Sequence, residues 1–182
     1  MPLQILFLNL VTDVFPAFAL GASEGRDEIL QRPRRDSGNP IVTRALWNAI
    51  VVHSLSISTA TLGSFILAQR FLGMAPAAAV TVSFLTLALA QLWHVFNMRD
   101  PRSGLIRNEI TRNRYVWGAL VLRLGLIMAV LSIPVAADAL DLVAPDARVW
   151  GLIVAISLVP LVHGQVAQFV SVVRYRRNHD TA

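Results

Sequence analysis

Three polar side chains stand within about one helical turn near the start of an otherwise apolar stretch. Asn9, Thr12 and Asp13 occupy positions i, i+3 and i+4, so in a helix they project from one face. Pro16 has no N–H and crowds the carbonyl four residues before it, which would leave the Thr12 carbonyl oxygen free. Such hard oxygen ligands suit Ca²⁺, Mn²⁺, Mg²⁺ or Na⁺. Hydrogen bonding to neighbouring helices is the alternative, and the residues alone favour neither.

This oxygen set is incomplete for a divalent cation, because Ca²⁺ takes roughly six to eight oxygens. A later apolar segment carries a second polar stripe, in which Gln91, His94 and Asn97 recur every three residues. We expect this stripe to hydrogen-bond to neighbouring helices. We expect packing and hydrogen-bonding roles also for polar residues on two further segments, which are His53, Ser54, Ser56, Ser58 and Thr59 on one and His163, Gln165 and Gln168 on the other. No two histidines share a helical-turn spacing and there is no cysteine, so no transition-metal site is predicted.

Membrane spans are the elements that must position these side chains. The 182 residues are 55% hydrophobic and 15% charged, with a mean hydropathy of +0.57, whereas soluble domains carry about 25% charged residues. A spanning helix needs roughly 20 apolar residues. We therefore predict one all-α membrane domain over residues 1–182, a polytopic bundle of about five transmembrane helices. The spans are expected at about 2–22, 45–69, 71–98, 115–137 and 149–173.

Arginine placement predicts the orientation of the bundle. All 16 basic residues are arginines, and 13 of them lie between the first two spans, between the third and fourth, or after the fifth. By the positive-inside rule these segments and the C-terminus face the cytoplasm. Charge in short runs between apolar blocks is not the continuous basic surface of a nucleic-acid-binding protein, so no such partner is predicted. Arg123 lies inside a span, and we expect it to snorkel to the headgroups.

One known family resembles this sequence over essentially its whole length. The run NLVTDVFPAFALG at residues 9–21 is similar to the sixth transmembrane helix of P-type cation-transporting ATPases of the calcium-pump type. ILQRPRR at residues 29–35 resembles a basic, proline-containing run that follows this helix in the family, although the second proline is missing. The resemblance implies pump helices six to ten, with Asn9, Thr12 and Asp13 as cation ligands. It also implies that Gln91 replaces a ligand glutamate of two-site pumps, which favours one ion per cycle.

The sequence lacks the parts of such a pump that hydrolyse ATP. It contains no lysine, so the Asp-Lys-Thr-Gly-Thr phosphorylation motif is absent, and it has no glycine-rich phosphate loop. We expect neither ATPase activity nor bound nucleotide from this chain alone.

The resemblance implies the membrane half of a pump for a cation such as Ca²⁺ or Mn²⁺. Its partner would be a chain with pump helices one to five and the cytoplasmic ATPase domains. The arginine- and alanine-rich composition predicts a bacterial plasma membrane. A stand-alone ion-binding or regulatory scaffold in the bilayer, derived from a pump, is the alternative. The transported ion, the oligomeric state and the origin of the short chain stay open at this stage.

Overall fold

Every regular element that the structure describes is helical. The structure is a computed structural model that describes residues 2–10, 43–98 and 110–179, with side chains as far as Val170, and it has no strand in these ranges. The predicted all-α class is confirmed. A π-helical turn, Leu67–Phe71, extends the second helix, and a 3₁₀ turn, Val95–Met98, extends the third. The α-helices in these ranges are α1 Pro2–Asn9, α2 Arg44–Ile66, α3 Pro76–His94, α4 Arg114–Ser132, α5 Pro134–Ala139 and α6 Ala147–His179.

Within the described ranges, four helical segments are long and apolar enough to cross a membrane. They are Leu46–Phe71, Pro76–Met98, Arg114–Ser132 and Ala147–Val170. Large apolar side chains remain exposed on them, such as Leu55 at 67% and Val121 at 69%, as expected of surfaces that face lipid. The chain is therefore a multi-pass membrane protein. Of the first predicted span, residues 11–22 lie outside the described part of the chain.

Polar capping residues mark where three of these spans begin. Thr43 Oγ1 accepts a hydrogen bond from Leu46 N at 3.3 Å, and Asn113 Oδ1 accepts one from Tyr115 N at 2.9 Å. The Asp146 carboxylate accepts a hydrogen bond from the amide of Val149 at 2.8 Å. Each cap satisfies an N–H of the first turn that has no partner inside its helix. The spans therefore start at the edges of the apolar segments.

Two helix boundaries are sharper than those expected from hydropathy. A tight turn with Gly73 at a φ of +62° separates α2 from α3, so the third span begins at Pro76 rather than at residue 71. The fourth span stops at Ser132, and α5 begins separately at Pro134. Proline disfavours the helical conformation at the preceding residue, and Ile133 is extended, with φ −96° and ψ 108°.

The third helix forms the centre of the bundle. α3 packs against both α2 and α6, and ten of its residues are buried. Leu85 lies in one apolar cluster with Ile127 of α4 and Ile153 of α6. Hydrogen bonds add to this packing, since the Trp93 indole Nε1 donates to Ser157 Oγ at 3.2 Å. Because α3 is enclosed on several sides, the polar side chains that it carries meet those of its neighbours.

Arg123 is the charged residue inside the α4 span. Its side chain is 2% exposed, so it is enclosed by protein rather than extended along the outside of the bundle. The expectation that it snorkels to the headgroups is therefore wrong. An intramembrane charge is costly unless protein groups surround it, which explains why Arg123 points into the bundle.

Candidate cation site

The first helix is anchored at two points close to the predicted ligands. Gln4 is buried, and its Nε2 donates a hydrogen bond to the carbonyl oxygen of Leu140, 2.6 Å away. One turn later, the ring of Phe7 packs on that of Phe84 in α3, with the ring centroids 6.2 Å apart. These contacts fix α1 against the segment after α5 and against the central helix.

The segment after α5 also anchors α3. The amide of Val143 donates to Thr81 Oγ1 at 3.0 Å, while the Leu140 carbonyl accepts from Gln4. Phe7 follows Gln4 by three residues, as Phe84 follows Thr81. The same segment binds Gln4 of α1 and Thr81 of α3, and the phenylalanines meet one turn further on in both helices. The two helices α1 and α3 therefore run in the same direction and lie at the same level, that is, at the same position along the bundle axis.

The described residues contain two of the four predicted oxygen ligands. Asn9 is the last residue of α1, and its side chain is exposed. Gln91 lies two turns beyond Phe84 on α3 and is half-buried, and its buried Oε1 accepts no hydrogen bond from any group that the structure describes. Thr12 and Asp13 lie outside the described residues. Among the described residues no hydrogen bond joins Asn9 to Gln91, and the assignment of all four as ligands stays a prediction.

The rest of the polar stripe on α3 joins α6. Asn97 is 5% exposed, and its Nδ2 donates to the carbonyl oxygen of Pro160 at 3.3 Å. Gln165 Nε2 donates to Asn97 Oδ1 at 2.9 Å and to the carbonyl of Phe96 at 3.0 Å. Gln168 Nε2 donates to the Asn97 carbonyl at 2.5 Å. The predicted interhelical hydrogen bonding is thus confirmed for Asn97, Gln165 and Gln168.

The structure brings together two histidines whose pairing the sequence does not predict. The rings of His53 on α2 and His94 on α3 lie 4.9 Å apart between centroids, at an interplanar angle of 62°. The sequence contains one indication of this proximity. His53 lies near the start of α2 and His94 near the end of α3, so antiparallel packing of the two helices puts both histidines at one end of the bundle. Among the described residues, no group of three or more His, Cys, Asp or Glu residues could hold a metal ion.

Comparison with known proteins identifies the family. A family model described as "Cation transporting ATPase, C-terminus" matches residues 1–170. This chain belongs to the cation-transporting ATPases. Its helical membrane bundle is the C-terminal membrane domain of that family, and the predicted family is confirmed.

Relatives of this cation-transporting ATPase domain are named as calcium-transporting ATPases. The chain is 34% identical to a calcium-transporting ATPase of Bacillus subtilis over 159 residues, which are 87% of this chain and 18% of that protein. It is 28% identical over 181 residues to calcium-transporting ATPase 1 of Bacillus cereus, covering 91% of this chain and 20% of the relative. A plasma membrane-type calcium-transporting ATPase 12 of Arabidopsis thaliana is 22% identical over 169 residues, 93% of this chain and 16% of the relative. The chain spans about a fifth or less of each relative.

Proposed function

We propose that this chain is the C-terminal membrane part of an ATP-driven cation pump and supplies oxygen ligands to the transported cation. Asn9, Thr12, Asp13 and Gln91 are the proposed ligands. The observation that carries this proposal is the common level of α1 and α3, which the Phe7–Phe84 contact and the shared anchor after α5 establish. It supports the convergence of polar groups from both helices.

The register of the two helices supports this convergence. Asp13 is six residues beyond Phe7, and Gln91 is seven residues beyond Phe84. A helix rises about 1.5 Å per residue, so continuation of α1 as a helix would bring Asp13 about 9 Å past the phenylalanine contact and Gln91 about 10 Å past it. The carboxylate and the amide would then lie at nearly the same depth.

The proposed ligands differ in what they give the cation. The Gln91 amide oxygen is buried and unpartnered within the described part of the chain, so it is available to a cation without breaking a hydrogen bond seen here. Asp13 supplies the one negative charge, which offsets part of the cost of removing a cation from water. Calcium is the foremost candidate substrate, because the relatives are named for its transport. The remaining oxygens of a shell of roughly six to eight would come from the partner helices or from water.

Energy coupling in this proposal depends on a separate part of the pump. The partner carries helices one to five, the phosphorylated aspartate and the nucleotide site, and its conformational changes alter the oxygen cage around Asp13. Arginine placement supports an orientation with the C-terminus in the cytoplasm. The arginine- and alanine-rich composition favours a bacterial plasma membrane. In this arrangement the chain forms part of the ion path and hydrolyses no ATP itself.

Reconstitution from two halves tests the proposed function. The part of the Bacillus subtilis ATPase that precedes the matched region would be co-expressed with this chain, and ATP-dependent uptake of ⁴⁵Ca²⁺ would be measured in inverted membrane vesicles. Each half alone serves as the control. Uptake that requires both halves, together with their co-purification, supports the proposal. Two well-folded halves that neither co-purify nor transport would refute it.

A further inference from the structure

A cationic and aromatic patch lies where α4 begins. The Arg114 guanidinium carbon lies 5.1 Å from the centroid of the Tyr115 ring, and Arg114 Nη2 donates to Tyr115 Oη at 3.2 Å. Trp117 is exposed in the same turn of helix, and Arg112 is exposed two residues before Arg114. Tyrosine and tryptophan side chains are enriched at the level of the lipid headgroups. The patch therefore faces the layer that contains the lipid phosphates.

Contacts of Trp117 hold this patch in place. Its Nε1 donates to the carbonyl oxygen of Thr111 at 3.0 Å, which ties the turn before α4 to the first turn of the helix. Its ring lies 5.9 Å from that of Phe96 at the end of the third span, measured between centroids. Arg112 and Arg114 are therefore held at the same end of α4, beside a fixed aromatic surface.

The charge of this patch indicates what it binds. In the described part of the chain, the carboxylates belong to Asp138, Asp141 and Asp146, which all follow the far end of α4. About 27 Å of helix separates that end from Arg114. A guanidinium has five N–H donors and can form two parallel hydrogen bonds to one phosphate. The expected ligand is therefore an anion with oxygen acceptors at the headgroup level.

Two glycines share the exposed face of α4 that carries Arg114. Gly118 and Gly125 follow Arg114 by four and eleven residues, so all three lie on one stripe of the helix. A Cβ added at either glycine would meet nothing within 4 Å. The large side chains of Val121 and Leu122 are exposed between the two glycines. The stripe therefore forms a shallow apolar groove that is open to lipid.

The length of this groove matches one acyl chain. Gly125 lies about 16 Å beyond Arg114 along the axis of α4, at about 1.5 Å per residue. Each leaflet contributes half of a hydrocarbon core about 30 Å thick, which is about 15 Å. The groove thus runs from the headgroup level to the centre of the bilayer. A free phosphate ion would contact the arginines alone, whereas a phospholipid would use both the charge and the groove.

We propose that Arg114 binds the phosphate of an anionic phospholipid and that one acyl chain of this lipid lies along α4 over Gly118 and Gly125. Arg112 adds a second positive charge at the same level, which favours a lipid of net negative charge over a zwitterionic one. Arginine placement puts this end of α4 in the cytoplasmic leaflet. The site is on a helix that carries none of the proposed cation ligands, so it does not rest on the proposed function.

Native mass spectrometry of the full chain in detergent tests the site. Bound lipid would be counted at increasing concentrations of phosphatidylglycerol or phosphatidylcholine with the same acyl chains. We expect phosphatidylglycerol to bind more tightly. Arg114→Gln should lower its affinity roughly 10-fold, the size expected for loss of a hydrogen bond to a charged group. Equal affinities of the wild type for the two lipids would overturn the proposal.

A second arginine at the same end of the bundle provides the matched control. Arg44 is exposed at the start of α2, and Trp47 follows it by three residues, as Trp117 follows Arg114. Asn48 and Leu55 occupy the positions of the two glycines, so this helix has no comparable groove. Arg44→Gln should leave the affinity for phosphatidylglycerol unchanged. A loss equal to that of Arg114→Gln would show a general effect of surface charge and would overturn the proposal.

Leucine substitutions test the position of the acyl chain. Gly118→Leu and Gly125→Leu would fill the groove, and the fold should be retained because a Cβ at either position meets open space. Both should weaken the binding of phosphatidylglycerol, whereas Gly151→Leu on α6, which is equally open, should not. Unchanged binding in both α4 variants would contradict the proposed groove. Competition by glycerol phosphate, which has no acyl chain, as strong as that by the lipid would indicate a free-phosphate site and overturn the proposal.

Discussion

Gln4 of α1 donates a hydrogen bond to the backbone carbonyl of Leu140, 2.6 Å away, and both residues are buried. The same short segment donates from Val143 N to Thr81 Oγ1 on α3. One segment thus fixes the positions of α1 and α3 along the bundle axis, and both helices carry predicted cation ligands. The Phe7–Phe84 contact, with ring centroids 6.2 Å apart, maintains the alignment of the two helices one turn further on. The geometry of the proposed cation site therefore depends on the contacts at this end of the bundle.

Replacement of Gln4 by leucine tests that anchor. Gln4→Leu keeps an apolar side chain in the span but leaves the Leu140 carbonyl without its donor, which typically costs about 1–3 kcal/mol. We expect a lower unfolding midpoint in detergent titrations. Asn48→Leu makes the same kind of change at an exposed position of α2 and should have little effect. Equal midpoints for the two variants would show that the Gln4 bond does not hold α1.

The close approach of α6 to α3 at Gly164 gives a second prediction. Gly164→Ala should destabilise the bundle by about 1–3 kcal/mol, because the added methyl group has to displace Asn97 and His53. Gly151→Ala, on the same helix, should be neutral or slightly stabilising, because alanine favours helix over glycine by about 1 kcal/mol. Thermal unfolding of both variants in one detergent provides the comparison. Similar losses in the two would contradict the packing described here.

Asn97 ties α3 to α6 through its side chain. Interhelical hydrogen bonds in membranes average about 0.6 kcal/mol each, so Asn97→Ala, which removes two, should lower stability by about 1–2 kcal/mol. The free energy of unfolding can be measured by steric trapping in bicelles. Asn48→Ala is the control, since Asn48 is exposed. A loss no larger than that of the control would mean that the amide network contributes nothing to the packing of α6.

Hydropathy and length were sufficient to predict much of the fold. A run without charge such as 149–170 is long enough to span and has few other stable structures in lipid. The break at Ile133 was missed because hydropathy continues across it, although Pro134 has a local steric effect that could have been applied. Arg123 was misjudged because its environment depends on how α4 packs, which composition does not reveal.

Less of the candidate site could be predicted from the sequence. Spacing alone predicted that Asn9, Thr12 and Asp13 share one face, because the helix repeat is a local property. The equal level of α1 and α3 depends on contacts between residues far apart in the chain, such as Gln4 with Leu140. The His53–His94 pairing is likewise a tertiary contact, and neither histidine has a distinctive sequence neighbourhood.

The orientation can be tested with single cysteines, because the natural chain has none. Arginine placement predicts that Ser103 lies on the cytoplasmic side and Ala144 on the outer side. In intact cells, a membrane-impermeant maleimide should label Ala144→Cys and leave Ser103→Cys unlabelled until the cells are opened. The reverse pattern would invert the topology and contradict the proposed cytoplasmic location of the C-terminus.

The central claim is that Asp13 binds the transported cation. Its most direct test is the Ca²⁺ dependence of ATP-driven uptake by the two reconstituted halves with Asp13→Asn, which removes the charge at nearly constant size. Loss of a group that only supports a metal ligand already lowers affinity by about 10- to 100-fold, so we predict a larger loss here or no uptake. Asp138→Asn, at an exposed position in α5, should behave as the wild type. Unchanged Ca²⁺ affinity and uptake with Asp13→Asn would contradict the account.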